Sequence, residues 1–98
     1  MSGPVYKCWR MRSAEAWYQL SQIERDALLA KVLAALDEVG GKSVVMCDSR
    51  WAEEEWGYWG VEEFPDVQAV QRHTQLLHDL NWFRYIESES MLGTKYPE

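Results

Sequence analysis

The spacing of hydrophobic and polar residues divides the first part of the chain into a strand, a connection and a helix. Residues Val5 to Met11 alternate with a period of two, which predicts a β-strand. Arg12 to Leu20 is predicted to be a connection. Ser21 and Glu24 have the spacing of a capping box, so we expect a helix to begin there and to end near Val39. Its predicted buried stripe comprises Leu28, Leu29, Val32, Leu33, Leu36 and Val39.

The rest of the chain shows short β-branched or aromatic runs around one more helical pattern. Two of these runs are separated by a polar turn of a length that allows an antiparallel hairpin. The helix is expected to start at a proline, whose missing N–H has no partner in a first turn. The predicted elements are a strand at Ser43–Asp48, a strand at Trp56–Glu62, a helix from Pro65-Asp66 to Asn81 or Trp82, and a strand at Phe83–Ser90.

The element order β-α-β-β-α-β predicts a ferredoxin-like α+β fold. Its four-stranded antiparallel sheet should have the order 4-1-3-2, with both helices on one face. With 98 residues and 47% hydrophobic content, we expect residues 1–98 to form a single domain. Cys8 and Cys47 then lie on strands separated by a third, about 9–10 Å apart, which is too far for a disulfide. Both are predicted to be free thiols, as in a reducing compartment.

Apolar side chains occur on both faces of the first three predicted strands, although two helices can cover only one face. Val5 and Trp9 alternate with Tyr6 and Cys8, for example. An exposed apolar face of this size is uncommon in a monomer. We therefore expect a homodimer, formed through the sheet face opposite the helices.

The charge and hydropathy of the chain exclude two kinds of partner. The net charge is −6, which argues against binding to nucleic acid, because phosphates attract a basic surface. No segment approaches the roughly 20 apolar residues that span a bilayer, and the start of the chain lacks an apolar run of signal-peptide length. We expect a cytoplasmic protein with neither a nucleic-acid nor a membrane partner.

Two short motifs and the element order resemble known families. Asn81-Trp82-Phe83-Arg84-Tyr85 and Leu92-Gly93-Thr94-Lys95 are similar to segments of a bacterial family without assigned function, and darcynin-type proteins are similar in outline. From Val5 to Tyr96 the chain resembles the dimeric α/β-barrel superfamily. That resemblance implies two subunits paired through their sheets, with a ligand pocket between the sheet and the helices of each. Known members include cofactor-free monooxygenases, polyketide cyclases, muconolactone isomerases and haem-degrading monooxygenases.

His73 lies near the middle of the apolar face of the second predicted helix. It is either the proton-transfer group of a pocket or a core histidine bonded to a carbonyl or a tyrosine. In both cases we expect it to be mostly buried, with a pKa lowered by desolvation unless a carboxylate such as Glu62 or a tyrosine hydroxyl compensates. His78 lies five residues further on, which is not the i, i+4 spacing of two histidines that share a metal.

The run Trp56-Gly57-Tyr58-Trp59-Gly60 places glycines beside large aromatic residues. Glycine within a strand often marks the close approach of a ligand, so a flat apolar molecule could stack there, with the Tyr58 hydroxyl as donor. The alternative is that the glycines make room for neighbouring tryptophans. With six tryptophans and five tyrosines in the chain, both explanations stay open.

These observations lead to one hypothesis and two alternatives. The hypothesis is a small dimeric enzyme that binds an apolar aromatic or polyketide-like molecule between sheet and helices. His73 and Tyr58 are its predicted catalytic residues, and its predicted ligand contacts are Trp9, Trp59, Tyr6 and His78. Without cofactor or metal, such an enzyme would catalyse monooxygenation, isomerisation or cyclisation. The alternatives are a non-catalytic small-molecule-binding or interaction protein, and haem binding with His73 or His78 as axial ligand.

Overall fold

A computed structural model describes residues 3–97 of the chain. Within this range there are four strands, two long helices and two single-turn helices. In chain order the elements are β1 (Val5–Ser13), α1 (Glu15–Tyr18), α2 (Gln22–Glu38), β2 (Lys42–Asp48), β3 (Tyr58–Phe64), α3 (Val67–Asp79), α4 (Trp82–Tyr85) and β4 (Ile86–Gly93).

The strands form one antiparallel sheet in the order β2-β3-β1-β4, which is the predicted order 4-1-3-2. In the central strand β1, Cys8 lies opposite Val61 of β3 and Met91 of β4. The predicted ferredoxin-like α+β fold is therefore confirmed, and α1 and α4 are additions to it. Cys8 and Cys47 are free thiols on strands separated by β3.

Both long helices begin where side chains satisfy their first backbone amides. The Ser21 hydroxyl accepts a hydrogen bond from the Glu24 amide at 3.2 Å, and the Glu24 carboxylate accepts one from the Ser21 amide at 3.0 Å. The predicted capping box is therefore present. In α3 the Asp66 carboxylate accepts a hydrogen bond from the Ala69 amide at 2.7 Å. Such caps fix the start of a helix because these amides have no partner within it.

The third strand is shifted by two residues from its predicted position. It runs from Tyr58 to Phe64, and Trp56 belongs to the loop between β2 and β3. The ring of Trp56 is buried, with the guanidinium carbons of Arg10 and Arg12 each 4.9 Å from its centroid. These cation–π contacts hold the loop against the sheet and remove Trp56 from the strand pattern.

The predicted strand Phe83–Ser90 is wrong at its beginning. Asn81 adopts a left-handed conformation, with φ of 56°, and the chain then makes the helical turn α4 before β4 starts at Ile86. The turn buries Trp82 edge-on against Trp17, with ring centroids 6.1 Å apart. This tertiary contact outweighs the strand preference of the aromatic run.

The predicted buried stripe of α2 is also partly wrong. Leu36 is buried, whereas Leu29 and Leu33 are 38% and 60% exposed. The helix carries apolar residues on nearly every side, including the exposed Ala30 and Ala34. Helical periodicity therefore does not select one buried face in this segment.

The core between the helices and the sheet is divided into two apolar clusters. The first consists of Val5, Leu36, Phe64, Ala69 and Val70, with Val39 against them. The second consists of Leu77, Trp82 and Ile86, with Met11, Trp17, Leu28 and Val32 against them. Both clusters contain residues of β1, α2 and α3, so they are the two ends of one layer.

We call the sheet face toward α2 and α3 the inner face and the opposite side the open face. The open face carries the even-numbered residues of β1, as well as Val45, Trp59 and Met91, which are exposed. It also carries ion pairs across β1 and β4, such as Arg12 to Glu87 at 2.6 Å. None of the helices among residues 3–97 combines the length and the hydropathy that a bilayer-spanning segment needs.

Candidate functional site

His73 lies at the middle of α3, between the two apolar clusters. It is 3% exposed, as its helical position predicts, and its ring lies 5.3 Å from the ring of Phe64, centroid to centroid. Its Nδ1 is buried without a hydrogen-bond partner among the described residues. The predicted alternative of a core histidine bonded to a carbonyl or a tyrosine therefore has no support at Nδ1.

Lys7 and Glu62 are cross-strand neighbours on the inner face, beside the position of His73. The register of β1 and β3 places Lys7 directly opposite Glu62. Burial lowers the pKa of Lys7 and raises the pKa of Glu62, and the attraction between the two charges opposes both shifts. Within residues 3–97 no carboxylate oxygen lies within 4 Å of the Lys7 ammonium, so the pair is not closed into a direct salt bridge.

The electrostatics of this layer keep His73 neutral at physiological pH. Burial, reinforced by the positive charge of Lys7, lowers the pKa of His73 to about 4. The carboxylate of Glu62 does not offset this lowering of the His73 pKa, so the predicted compensation is not found. The imidazole is therefore in the form that accepts a proton or donates an electron pair.

Trp9 completes the inner face between Lys7 and Met11. It lies opposite Gly60 on β3, and a Cβ atom added to Gly60 would be 2.7 Å from Cζ2 of the Trp9 indole. Gly60 thus makes room for a neighbouring tryptophan, which is the second of the two explanations for this glycine-containing run.

The structure does not bring the other predicted site residues to His73. Tyr58 lies four residues along β3 from Glu62, roughly 13 Å at the rise of a strand, and its ring lies 5.2 Å from the guanidinium carbon of Arg50. His78 is exposed in the last turn of α3, with its ring 4.7 Å from that of Phe83. Of the predicted ligand contacts, only Trp9 shares the inner face with His73.

Tyr6 and Trp59 lie on the open face. Tyr6 is opposite Glu63, and a hydrogen bond to that carboxylate raises the pKa of Tyr6. Trp59 borders a cavity of about 570 Å³ that is also lined by Trp56, Cys8 and Met91. Trp9 borders the same cavity, although its register places its side chain on the inner face. A flat molecule stacked on Trp59 would therefore be separated from His73 by the sheet.

The arrangement of His73, Lys7 and Glu62 can accept a proton from a ligand and stabilise the negative charge that then forms on the ligand. A neutral imidazole accepts a proton, and a nearby ammonium stabilises an oxyanion that forms at the same time. Within residues 3–97 no group of three or more His, Cys, Asp or Glu side chains is placed to hold a metal ion.

Lys7 is the member of this group that sequence reasoning misses. The signal is present, because the period of two that defines β1 puts Lys7 on the same side as Val5, Trp9 and Met11. A charged residue inside an apolar alternation is unusual and indicates a buried partner or a ligand.

No protein family model matches the sequence, and no curated protein matches it significantly. Solved structures match it clearly. A variant of chlorite dismutase from Candidatus Nitrospira defluvii superposes with a TM-score of 0.76 and 14% identity, over 99% of this chain and 42% of that one. A haem-binding protein from Thermus thermophilus gives a TM-score of 0.71 and 22% identity, over 95% of this chain and 40% of that one.

SnoaB, a cofactor-independent oxygenase from Streptomyces nogalater, gives a TM-score of 0.59 and 19% identity over 99% of this chain and all of SnoaB. The chain thus spans less than half of the first two proteins and the whole of the third. Similarity at these identities establishes the fold, in agreement with the predicted resemblance to the dimeric α/β-barrel superfamily. The similarity to darcynin-type proteins and to the bacterial family stays a prediction.

Proposed function

We propose that the chain binds a small, largely apolar molecule between the inner face and the helices, and that His73 removes a proton from it. The observation that carries this proposal is that three ionisable residues interrupt the apolar core. Lys7, Glu62 and His73 lie between two apolar clusters, where apolar side chains of similar volume would be at least as stabilising. His73 is buried and Lys7 and Glu62 are half-buried, and ionisable groups with pKa values shifted in this way are concentrated at functional sites.

The proposed step breaks a C–H or O–H bond that is activated by a neighbouring carbonyl or aromatic ring. The proton moves to the imidazole of His73, and the electron pair moves to the substrate oxygen. The ammonium of Lys7 stabilises that oxyanion, while Glu62 favours the charged form of Lys7. Trp9 is the proposed wall against which a flat substrate packs.

This chemistry needs no cofactor when the substrate anion itself reacts further, by oxygenation, isomerisation or cyclisation. The structural similarity to SnoaB supports oxygenation as the first reaction to test. A suitable probe is dithranol, an enolisable tricyclic ketone. Its oxygenation consumes O₂ and yields the quinone and water, so the reaction can be followed by absorbance and with an oxygen electrode.

The decisive comparison is between His73→Gln and His78→Gln, two histidine substitutions on one helix. We expect His73→Gln to lower the rate about 10²- to 10⁴-fold, the usual loss of acid–base assistance, with little change in unfolding midpoint at pH 7. His78→Gln should keep the wild-type rate because His78 is exposed. A His73→Gln protein with full activity and a lowered midpoint would refute the catalytic assignment.

Haem binding through His73 is the second candidate. The neutral imidazole with a free Nδ1 suits an axial ligand, and one of the structural neighbours is a haem-binding protein. The space does not suit the group, because Phe64 packs on the imidazole ring and the residue is buried. A porphyrin would have to separate α3 from the sheet more widely than a three-ring substrate would. In a haemin titration, a shift of the Soret band from its position in free haemin that is lost in His73→Gln but kept in His78→Gln would favour haem.

We also propose that two copies of the chain pair through the open face. The exposed side chains of Val45 and Met91 support this, since they are 42% and 71% exposed on a sheet face that no helix of the described chain covers. A symmetric pair would bury both apolar faces at once. In such a dimer Tyr6 and Trp59 would face the second copy.

A further inference from the structure

A second cavity, of about 550 Å³, lies where β1 ends and β3 begins, remote from Lys7 and His73. Its walls come from α1, the start of α2 and the loop between β2 and β3. Side chains that border it include Trp17, Tyr18, Tyr58, Arg25, Arg50 and Glu54. A cavity of this volume accommodates a small organic molecule.

Arg25 is the unusual residue of this cavity. Its Nε donates a hydrogen bond to the carbonyl oxygen of Trp17 at 3.2 Å, and its guanidinium carbon lies 5.4 Å from the centroid of the Trp17 ring. These contacts fix the guanidinium plane and leave the two terminal nitrogens for another partner. Within residues 3–97 no carboxylate lies within 4 Å of Arg25, although the side chain is half-buried.

The other arginines of the cavity already have carboxylate partners. Arg50 binds Asp48 through two nitrogens, at 3.0 and 2.8 Å, and Arg12 binds Glu87 at 2.6 Å. Among the described residues, Arg25 thus differs from Arg50 and Arg12 in having no carboxylate within 4 Å. A fixed guanidinium with two free nitrogens matches the two oxygens of a carboxylate.

The remaining lining restricts the ligand further. The aromatic rings of Trp17, Tyr18 and Tyr58 offer apolar surfaces, and the two tyrosines carry hydroxyl groups at their edges. On the other side, the consecutive residues Glu53, Glu54 and Glu55 border the cavity, and their negative charges disfavour phosphates and dicarboxylates. An ammonium group on the ligand would be attracted to the same glutamates.

We propose that this cavity is a binding site for an aryl monocarboxylate, with the carboxylate on Arg25 and the ring against Trp17 and Tyr58. The ligand is either a simple aryl acid or an aromatic α-amino acid, which share the carboxylate and the ring. The site is separate from the proposed proton-transfer site, so His73→Gln should bind the ligand as the wild-type protein does. Tyr58 acquires a role here that does not require contact with His73.

The test uses L-phenylalanine and two probes that each lack one of its groups. 3-Phenylpropanoate has the ring and the carboxylate without the ammonium, and phenethylamine has the ring and the ammonium without the carboxylate. By ligand-observed NMR we expect at least one acid to bind with a dissociation constant below about 1 mM, within the usual range for small substrates. Phenethylamine should bind more weakly than either acid. Tighter binding of L-phenylalanine than of 3-phenylpropanoate would identify the amino acid, and equal or weaker binding of L-phenylalanine would identify the simple aryl acid.

Arg25→Gln should weaken binding of the acids roughly 10- to 150-fold, the loss of a charge-assisted hydrogen-bonded pair. Arg84→Gln is the matched control, because Arg84 is exposed and lies outside this cavity. If Arg25→Gln does not fold by circular dichroism, Arg25→Lys replaces it; this variant should also weaken binding of the acids, because one ammonium lacks the two-pronged geometry of a guanidinium. Equal affinity for phenethylamine and the acids, unchanged binding in Arg25→Gln, or no binding of either acid would overturn the proposal.

Discussion

Acidification should destabilise this protein through His73 before most of its carboxylates are protonated. The pKa of His73 is about 4 in the folded chain and about 6.5 in an unfolded one. As the pH falls below 6.5, His73 binds a proton in the unfolded state, whereas in the folded state it does so only as the pH approaches 4. The stability is therefore complete above the unfolded pKa and is lost progressively through the window between the two values.

The size of this effect follows from the two pKa values. Between pH 7 and pH 5 the free energy of unfolding should fall by about 2 kcal/mol on account of His73 alone. With a urea dependence of about 1–1.5 kcal/mol per M for a chain of this size, the midpoint should move by roughly 1.5 M. Glu62 acts in the opposite direction, because burial raises its pKa and its protonation on acidification favours the folded state.

The assay is urea unfolding at pH 7, 6 and 5, followed by tryptophan fluorescence at one fixed protein concentration. His73→Gln removes the contribution of His73 to the pH dependence of stability and leaves that of Glu62 in place. The difference between variant and wild type therefore isolates His73. We expect the variant to match the wild type at pH 7 and to be more stable at pH 5. His78→Gln should follow the wild-type curve. Parallel curves for wild type and His73→Gln would refute the reasoning.

Two further predictions concern the sheet. Gly60→Ala should cost about 1–3 kcal/mol of stability by thermal unfolding, because the new Cβ would lie 2.7 Å from the Trp9 indole and 2.6 Å from the carbonyl oxygen of Val45. Gly93→Ala is the control, because no atom of the described residues lies within 4 Å of its Cβ. Equal losses of stability in the two variants would contradict the packing argument. Val61→Lys at the centre of the open face should yield monomers by sedimentation at micromolar concentration, whereas a wild-type protein that sediments as a monomer would disprove the proposed dimer.

Local patterns predict the elements of this chain well where one tendency dominates. The capping box at Ser21 and the burial of His73 follow from spacing alone, and both are present. The pattern fails where tertiary contacts select between two local tendencies. The aromatic run after Asn81 has strand preference, yet the left-handed Asn81 and the packing of Trp82 make it a helical turn.

The candidate sites are less accessible to sequence reasoning because they combine distant segments. Period-two alternation places Lys7 and Glu62 on one face of their strands, but only the pairing register puts them opposite each other. The second cavity depends on how the loop after β2 folds over the end of the sheet, which no local spacing encodes. In the sequence, Arg25 is a polar residue near the start of a helix and nothing distinguishes it from other arginines. Only the three-dimensional structure shows that it has no carboxylate partner within the described part of the chain.

The division of the core into two clusters also affects how a molecule could enter the inner layer. The clusters pack β1, α2 and α3 together at both ends of the layer. The helix α3 is therefore anchored near both of its ends, and His73 lies between the anchored parts. The middle of α3 can move away from the sheet while both ends stay packed, since local opening costs less free energy than global unfolding. Entry by bending would leave a signature in hydrogen exchange, with amides near His73 exchanging faster than those near Val70 and Leu77.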